Sequence, residues 1–81
     1  MNKNMLTHII KTKIPKTSKV FVESEDNIHF DVVIHSSIFN EISSKVKQQR
    51  IVLNVLKEYI ESGEIHAISM KTYPTNLNKN N

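Results

Sequence analysis

Cysteine is absent from this 81-residue chain. That excludes a disulfide framework, a thiolate zinc site and an iron–sulfur cluster held by cysteines of the chain itself, and it is in keeping with a reducing compartment. Glycine occurs once, at Gly63, so no glycine-rich loop is available to cradle a phosphate. Arginine also occurs once, at Arg50; lysine carries the remaining positive charge, and the formal net charge is only +3. This falls short of the dense Lys/Arg stripe of a dedicated nucleic-acid binder. The richness in lysine, isoleucine and asparagine reads as the codon usage of an AT-rich genome. No apolar run approaches the roughly 20 residues needed to cross a bilayer, and the first residues lack the apolar core of a signal peptide. The expectation is a cytoplasmic protein with no membrane partner. Ser/His/Asp and Cys/His pairings are missing, and Glu23 and Asp31 form no evident acid/base pair, so no enzyme is expected.

The length suits one small domain over residues 1–81. A core of that size is marginal, and one sheet with helices on a single face is the expected economy. Met5 or Leu6, then Ile9, Ile10 and Ile14, recur at helical spacing and predict a short amphipathic helix over residues 1–13. Asn2 or Asn4 is available as the cap, and Pro15 as the stop. Residues 16–18 read as a polar link and Lys19–Glu23 as a first strand, with Val20 and Val22 on one face. Ser24-Glu25-Asp26-Asn27 is turn chemistry. In residues 28–35, Ile28, Phe30, Val32 and Ile34 alternate with His29, Asp31, Val33 and His35, which makes a second strand with the first set inward. So short a turn between them predicts an antiparallel hairpin.

Ser36–Glu41 is expected to be a short irregular or single-turn segment anchored by Ile38 and Phe39. The main helix is expected over about residues 44–62, its stripe made by Val46, Leu53, Leu56 and Ile60 and widened by Val52, Val55 and Tyr59. Lys45, Lys47 and Arg50 crowd its first turns, against the helix dipole. Gly63 closes it, as glycine does where the chain turns left-handed. A third strand follows in Ile65–Lys71, and a helical crossover from strand two makes it parallel to that strand. Its alternation puts His66, Ile68 and Met70 on one face and Ile65, Ala67 and Ser69 on the other. By the same parity His66 shares the core-facing side and His29 the opposite one.

Phe30, Val32-Val33-Ile34, Ser36-Ser37-Ile38-Phe39, Val46-Lys47-Gln48-Gln49-Arg50, Glu58-Tyr59-Ile60 and above all Ile65-His66-Ala67-Ile68-Ser69-Met70-Lys71 resemble the BolA family, in its IbaG-like (YrbA-like) branch of short bacterial paralogues. The likeness spans about residues 28–73. It implies an α+β fold of the type II KH kind without the GXXG loop, in the order αββ, short turn, αβ, with a three-stranded mixed sheet. The pattern departs from the family at Glu41, where a glycine is usual. It departs again after Tyr73-Pro74, where the usual tryptophan is missing. Residues 73–81 are accordingly expected to be a flexible tail in which a C-terminal helix is at most frayed.

The resemblance implies partnership with a monothiol glutaredoxin, the pair holding a bridged [2Fe–2S] cluster together with glutathione. The roles implied are iron–sulfur trafficking, iron homeostasis and acid-stress response. A chain without cysteine can bring only imidazole or carboxylate to such a cluster and must borrow thiolates. An imidazole ligand takes up a proton near neutral pH, so binding is expected to weaken in mild acid. By resemblance His66 is the first metal ligand; the bland alternative is a half-buried strand histidine. For the second, His29 is the nearest candidate and Asp26 a weaker one, while His8 and His35 read as surface histidines. The rival function is a nucleic-acid-binding transcriptional regulator, with DNA phosphates held by Lys45, Lys47 and Arg50 at the helix start. The same residues suit docking of the glutaredoxin or plain solvation. Alone, the chain is expected to be a monomer or weak homodimer.

Overall fold

Asn2 starts the first helix: its side chain accepts a hydrogen bond from the Met5 amide at 2.8 Å, satisfying one of the donors a helix N-terminus leaves unpaired. In the computed structural model, which describes residues 1–75, six elements follow in order. They are α1 (Lys3–Lys13), β1 (Thr17–Glu23), β2 (His29–Ser36), a 3-10 turn (Ser37–Glu41), α2 (Lys45–Glu61) and β3 (Ala67–Tyr73). The strands form one mixed sheet in the order β1-β2-β3, with β1 antiparallel and β3 parallel to β2. This is the element order expected from the sequence. Of residues 73–81, expected to be a flexible tail with at most a frayed helix, Tyr73 instead ends β3, where it pairs with His35 of β2, and Asn76–Asn81 lie outside the described residues.

Both helices pack on the same face of the sheet. Leu6, Ile10 and Ile14 from α1 and its end, Phe30, Val32 and Ile34 from β2, Phe39 from the 3-10 turn, Val52 and Leu56 from α2, and Ile65 make up the core. Each fully buried side chain of this size stabilises by about 1.5–3 kcal/mol relative to exposure, before conformational entropy is set against it. Among the described residues nothing covers the opposite face of the sheet, where Phe21 is 57% and Tyr73 39% exposed.

Four details differ from the sequence reading. β1 begins at Thr17 rather than Lys19 because the ladder contains a bulge: Thr17 pairs with Ser36 and Lys19 with His35, leaving Ser18 as the extra residue. Ser36 anchors this corner by donating to the Pro15 carbonyl at 2.8 Å. The stripe of α2 is rotated. Val46 and Leu53 are exposed, and the buried positions are Gln48, Val52 and Leu56, with Val55 and Tyr59 beside them. Gln48 occupies a core position because it has partners there: its side-chain amide donates to the Ile42 carbonyl, and it accepts from the Thr72 hydroxyl at 2.6 Å. A hydropathy pattern cannot register that, and Val46 takes the apolar place in its stead.

The third and fourth differences concern β3. Gly63 has φ +84° and ends α2 as expected, but the strand starts two residues later than Ile65. The amides of His66 and Ala67 both donate to the carbonyl of Ile28, at 2.7 and 3.2 Å. Two successive donors on one acceptor break the two-residue period, so alternation holds only from Ala67 onward. Ile65 is held by its amide on the Tyr59 carbonyl and is fully buried, while His66 and Ala67 are both exposed.

Candidate metal-ligating site

His29 is the first residue of β2 and lies in register with Ala67 of β3. His66, one residue before β3, is therefore its neighbour. The two rings meet edge to face, with centroids 6.0 Å apart and planes at 77°. The parity expectation that placed them on opposite faces is corrected by the break at Ile28: His66 precedes the alternating part of the strand and turns to the open side with His29.

The hairpin turn holds His29 from several sides. Asp26 Oδ1 accepts from the backbone amides of Ile28 at 3.0 Å and His29 at 2.9 Å. Its other oxygen, Oδ2, lies 2.6 Å from His29 Nδ1. Ser24 Oγ accepts from the Asn27 amide at 2.9 Å and donates to the His29 carbonyl at 2.7 Å. Asn27 sits at φ +64°, a left-handed conformation that asparagine tolerates better than most side chains. These hydrogen bonds from the His29 and Ile28 amides, with the His29 side chain adding to them, hold the Asp26 carboxyl far below the usual carboxylate range.

Both Asp26 oxygens are thus engaged, Oδ1 by the turn and Oδ2 by His29. The sequence places Asp26 in the turn and makes it a weaker ligand candidate; its contact with the His29 ring had its signal in the Asp-x-x-His spacing inside turn-forming residues. An open depression of about 310 Å³ beside it is lined by Glu23, Ser24, Glu25, Asp26, His29 and Asp31, so this end of the sheet is acidic. Among the described residues no group of three or more His, Cys, Asp or Glu side chains is arranged to hold a metal ion. Two adjacent imidazoles without a thiolate suit a metal centre whose remaining ligands come from another molecule.

The basic residues at the start of α2 are not all placed alike. Lys45 folds back over β3: its ammonium donates to the Thr72 carbonyl and lies 4.8 Å from the centroid of the Tyr73 ring. The other side of this corner is a stack of Tyr73 with His35, ring centroids 5.1 Å apart. Lys47 and Arg50 are exposed on the helix surface. His35 is therefore a packing histidine of the open face, and His8 is exposed on α1.

The family model for BolA-like proteins matches residues 7–76. The chain belongs to the BolA family. An uncharacterized protein of Buchnera aphidicola subsp. Baizongia pistaciae is 39% identical over 70 residues, covering 86% of this chain and 85% of that protein. The acid stress protein IbaG of Escherichia coli K12 is 42% identical over 50 residues, 62% of this chain and 58% of IbaG. Among solved structures, a BolA homologue from Coxiella burnetii superposes with a TM-score of 0.80 at 27% identity, covering 93% of this chain and 92% of the other. The BolA-like fold expected from the third-strand residues is the one observed.

Proposed function

We propose that this BolA-family chain partners a monothiol glutaredoxin and contributes imidazole to a bridged [2Fe–2S] cluster, in iron–sulfur trafficking or iron homeostasis. The observation that carries the reading is the adjacency of His29 and His66, 6.0 Å between ring centroids at the open end of the sheet. His66 serves as the first ligand and His29 as the second. The glutaredoxin and glutathione supply the thiolates that the chain, with no cysteine, does not have. Imidazole in place of thiolate raises the potential of such a centre and makes its retention sensitive to protons. That sensitivity accords with an acid-stress role, the role printed in the name of the related IbaG. The proposed setting is the cytoplasm, and no helix among the described residues is long and apolar enough to cross a membrane.

The test is anaerobic cluster reconstitution with a monothiol glutaredoxin, followed by visible absorption and circular dichroism. The expected result is a mixed complex with a spectrum distinct from that of the glutaredoxin alone, lost in His66→Ala. Only the glutaredoxin's own spectrum with the wild-type chain would refute the reading. Binding of DNA through Lys45, Lys47 and Arg50, the rival function, would instead fall steeply with salt and need no iron.

A further inference from the structure

We propose that Asp26 is a positioning residue that fixes the proton of neutral His29 on Nδ1 and so leaves Nε2 as the ligating nitrogen. This rests on the cluster-partner reading for its purpose, while the positioning itself is a property of the metal-free chain. The geometry divides the labour of the carboxylate between its two oxygens. Oδ1 builds the turn by accepting from the Ile28 and His29 amides at 3.0 and 2.9 Å. Oδ2 takes no part in the turn and sits 2.6 Å from His29 Nδ1.

An asparagine would satisfy the backbone equally well, since its carbonyl oxygen can accept the same two amides. What asparagine cannot supply is a second acceptor; the requirement for aspartate comes from the ring. A carboxylate accepts only, so a neutral imidazole at this distance must carry its hydrogen on Nδ1, and Nε2 keeps its lone pair. The turn also pins the backbone of His29 through its amide to Asp26 and its carbonyl to the Ser24 hydroxyl. Ring and main chain are therefore fixed from one five-residue loop. A carboxylate behind a metal-bound histidine orients the ring and raises its basicity, and loss of such a partner typically weakens metal affinity ten- to a hundredfold.

Asp26→Asn separates the two oxygens. The backbone amides keep Oδ1 in place, so the side-chain NH₂ replaces Oδ2 opposite Nδ1. A donor there forces Nδ1 to accept, and the proton moves to Nε2, the nitrogen needed for the metal. The measurement is long-range ¹H–¹⁵N correlation NMR of the imidazoles in the metal-free full chain at about pH 8, where histidine is neutral. The expected result is the Nδ1–H form of His29 in the wild type and the Nε2–H form in Asp26→Asn, with the backbone amide spectrum otherwise preserved. Titrated with the glutaredoxin and cluster, Asp26→Asn should form the mixed complex at least tenfold less well than wild type.

An Nε2–H form in the wild type, or the same tautomer in both proteins, overturns the proposal. So does an inverted tautomer that leaves the mixed complex unchanged. Failure of the cluster-partner reading shows up separately, as a wild-type chain that forms no mixed complex at all.

Discussion

His66 meets His29 edge to face because the strand that carries it starts one residue after it. The carbonyl of Ile28 receives the amides of both His66 and Ala67, and this shared acceptor turns His66 out of the core-facing row to which simple alternation assigns it. The position is therefore defined by β2 as much as by β3. His29→Ala and His66→Ala should both diminish the mixed cluster complex, His66→Ala the more severely. Neither should change thermal stability much, because both side chains are exposed and surface substitutions usually stay within about 0.5 kcal/mol. Reconstitution spectra alongside thermal melts of the two variants separate the effects. Large destabilisation by His66→Ala would make it a structural residue.

The gross fold was legible because its signals are local. Phe30, Val32 and Ile34 alternate, Pro15 and Gly63 end their helices, and Ser24 to Asn27 form a turn. The helical crossover between β2 and β3 made the third strand parallel, and the family likeness in Ile65–Lys71 agreed with it. What escaped were features made by tertiary partners. The burial of Gln48 depends on Thr72 and Ile42, which are distant in sequence. The facing of His66 depends on one shared carbonyl. Lys45 reads as a phosphate contact from its place in the helix, but its partners lie on β3.

The rotated face of α2 is open to a direct check. Leu53 is 41% exposed and Leu56 fully buried on the same helix, although both belong to the stripe read from periodicity. Leu56→Ala should cost about 2–5 kcal/mol through lost burial and the cavity left behind. Leu53→Ala should stay within about 1 kcal/mol, a fraction of the burial term. Urea unfolding of the two variants gives the comparison, and equal losses would contradict the observed packing.

Gln48 and Thr72 form a buried polar pair that ties the start of α2 to the end of β3. Thr72→Val removes the donor and leaves Gln48 Oε1 without its partner. Gln48→Leu leaves both the Thr72 hydroxyl and the Ile42 carbonyl unpaired. Each should cost about 1–3 kcal/mol, the usual penalty for a stranded buried polar group. The double variant should cost less than the two single losses added together, since removing both partners strands fewer groups. A double-mutant cycle in urea measures the coupling, and strict additivity would mean that the two side chains do not interact.

Glu23 and Asp31 are directly paired across β1 and β2, and like charges in that position oppose each other. Among the described residues the cation paired with Glu23 is Lys3, at 3.9 Å and well exposed, which offsets little. Asp31→Asn keeps the shape and removes one charge, so it should stabilise the fold by about 0.2–1 kcal/mol at low ionic strength. The gain should shrink at about 1 M salt, where the screening length falls to about 3 Å. Melts at low and high salt test both statements, and a loss of stability in the variant would show that Asp31 has a partner of its own.

Asp26 makes the acid limb of the stability curve specific to one side chain. Its carboxyl is held far below the range of an unfolded chain by the His29 and Ile28 amides and by the His29 side chain. A carboxyl depressed in the folded state contributes stability that is fully present above its unfolded value, near pH 3.9. That contribution is lost progressively as the pH falls toward the folded value. Wild type should therefore lose stability between about pH 5 and pH 2. Asp26→Asn has no proton to bind at this position and should show a shallower loss over the same interval. Its hydrogen-bonded turn should remain, because the amide oxygen still accepts from both backbone amides. Urea midpoints at successive pH values down to 2, for wild type and variant, give the two slopes. Parallel slopes would mean that the Asp26 carboxyl is no better stabilised in the folded chain than in the unfolded one.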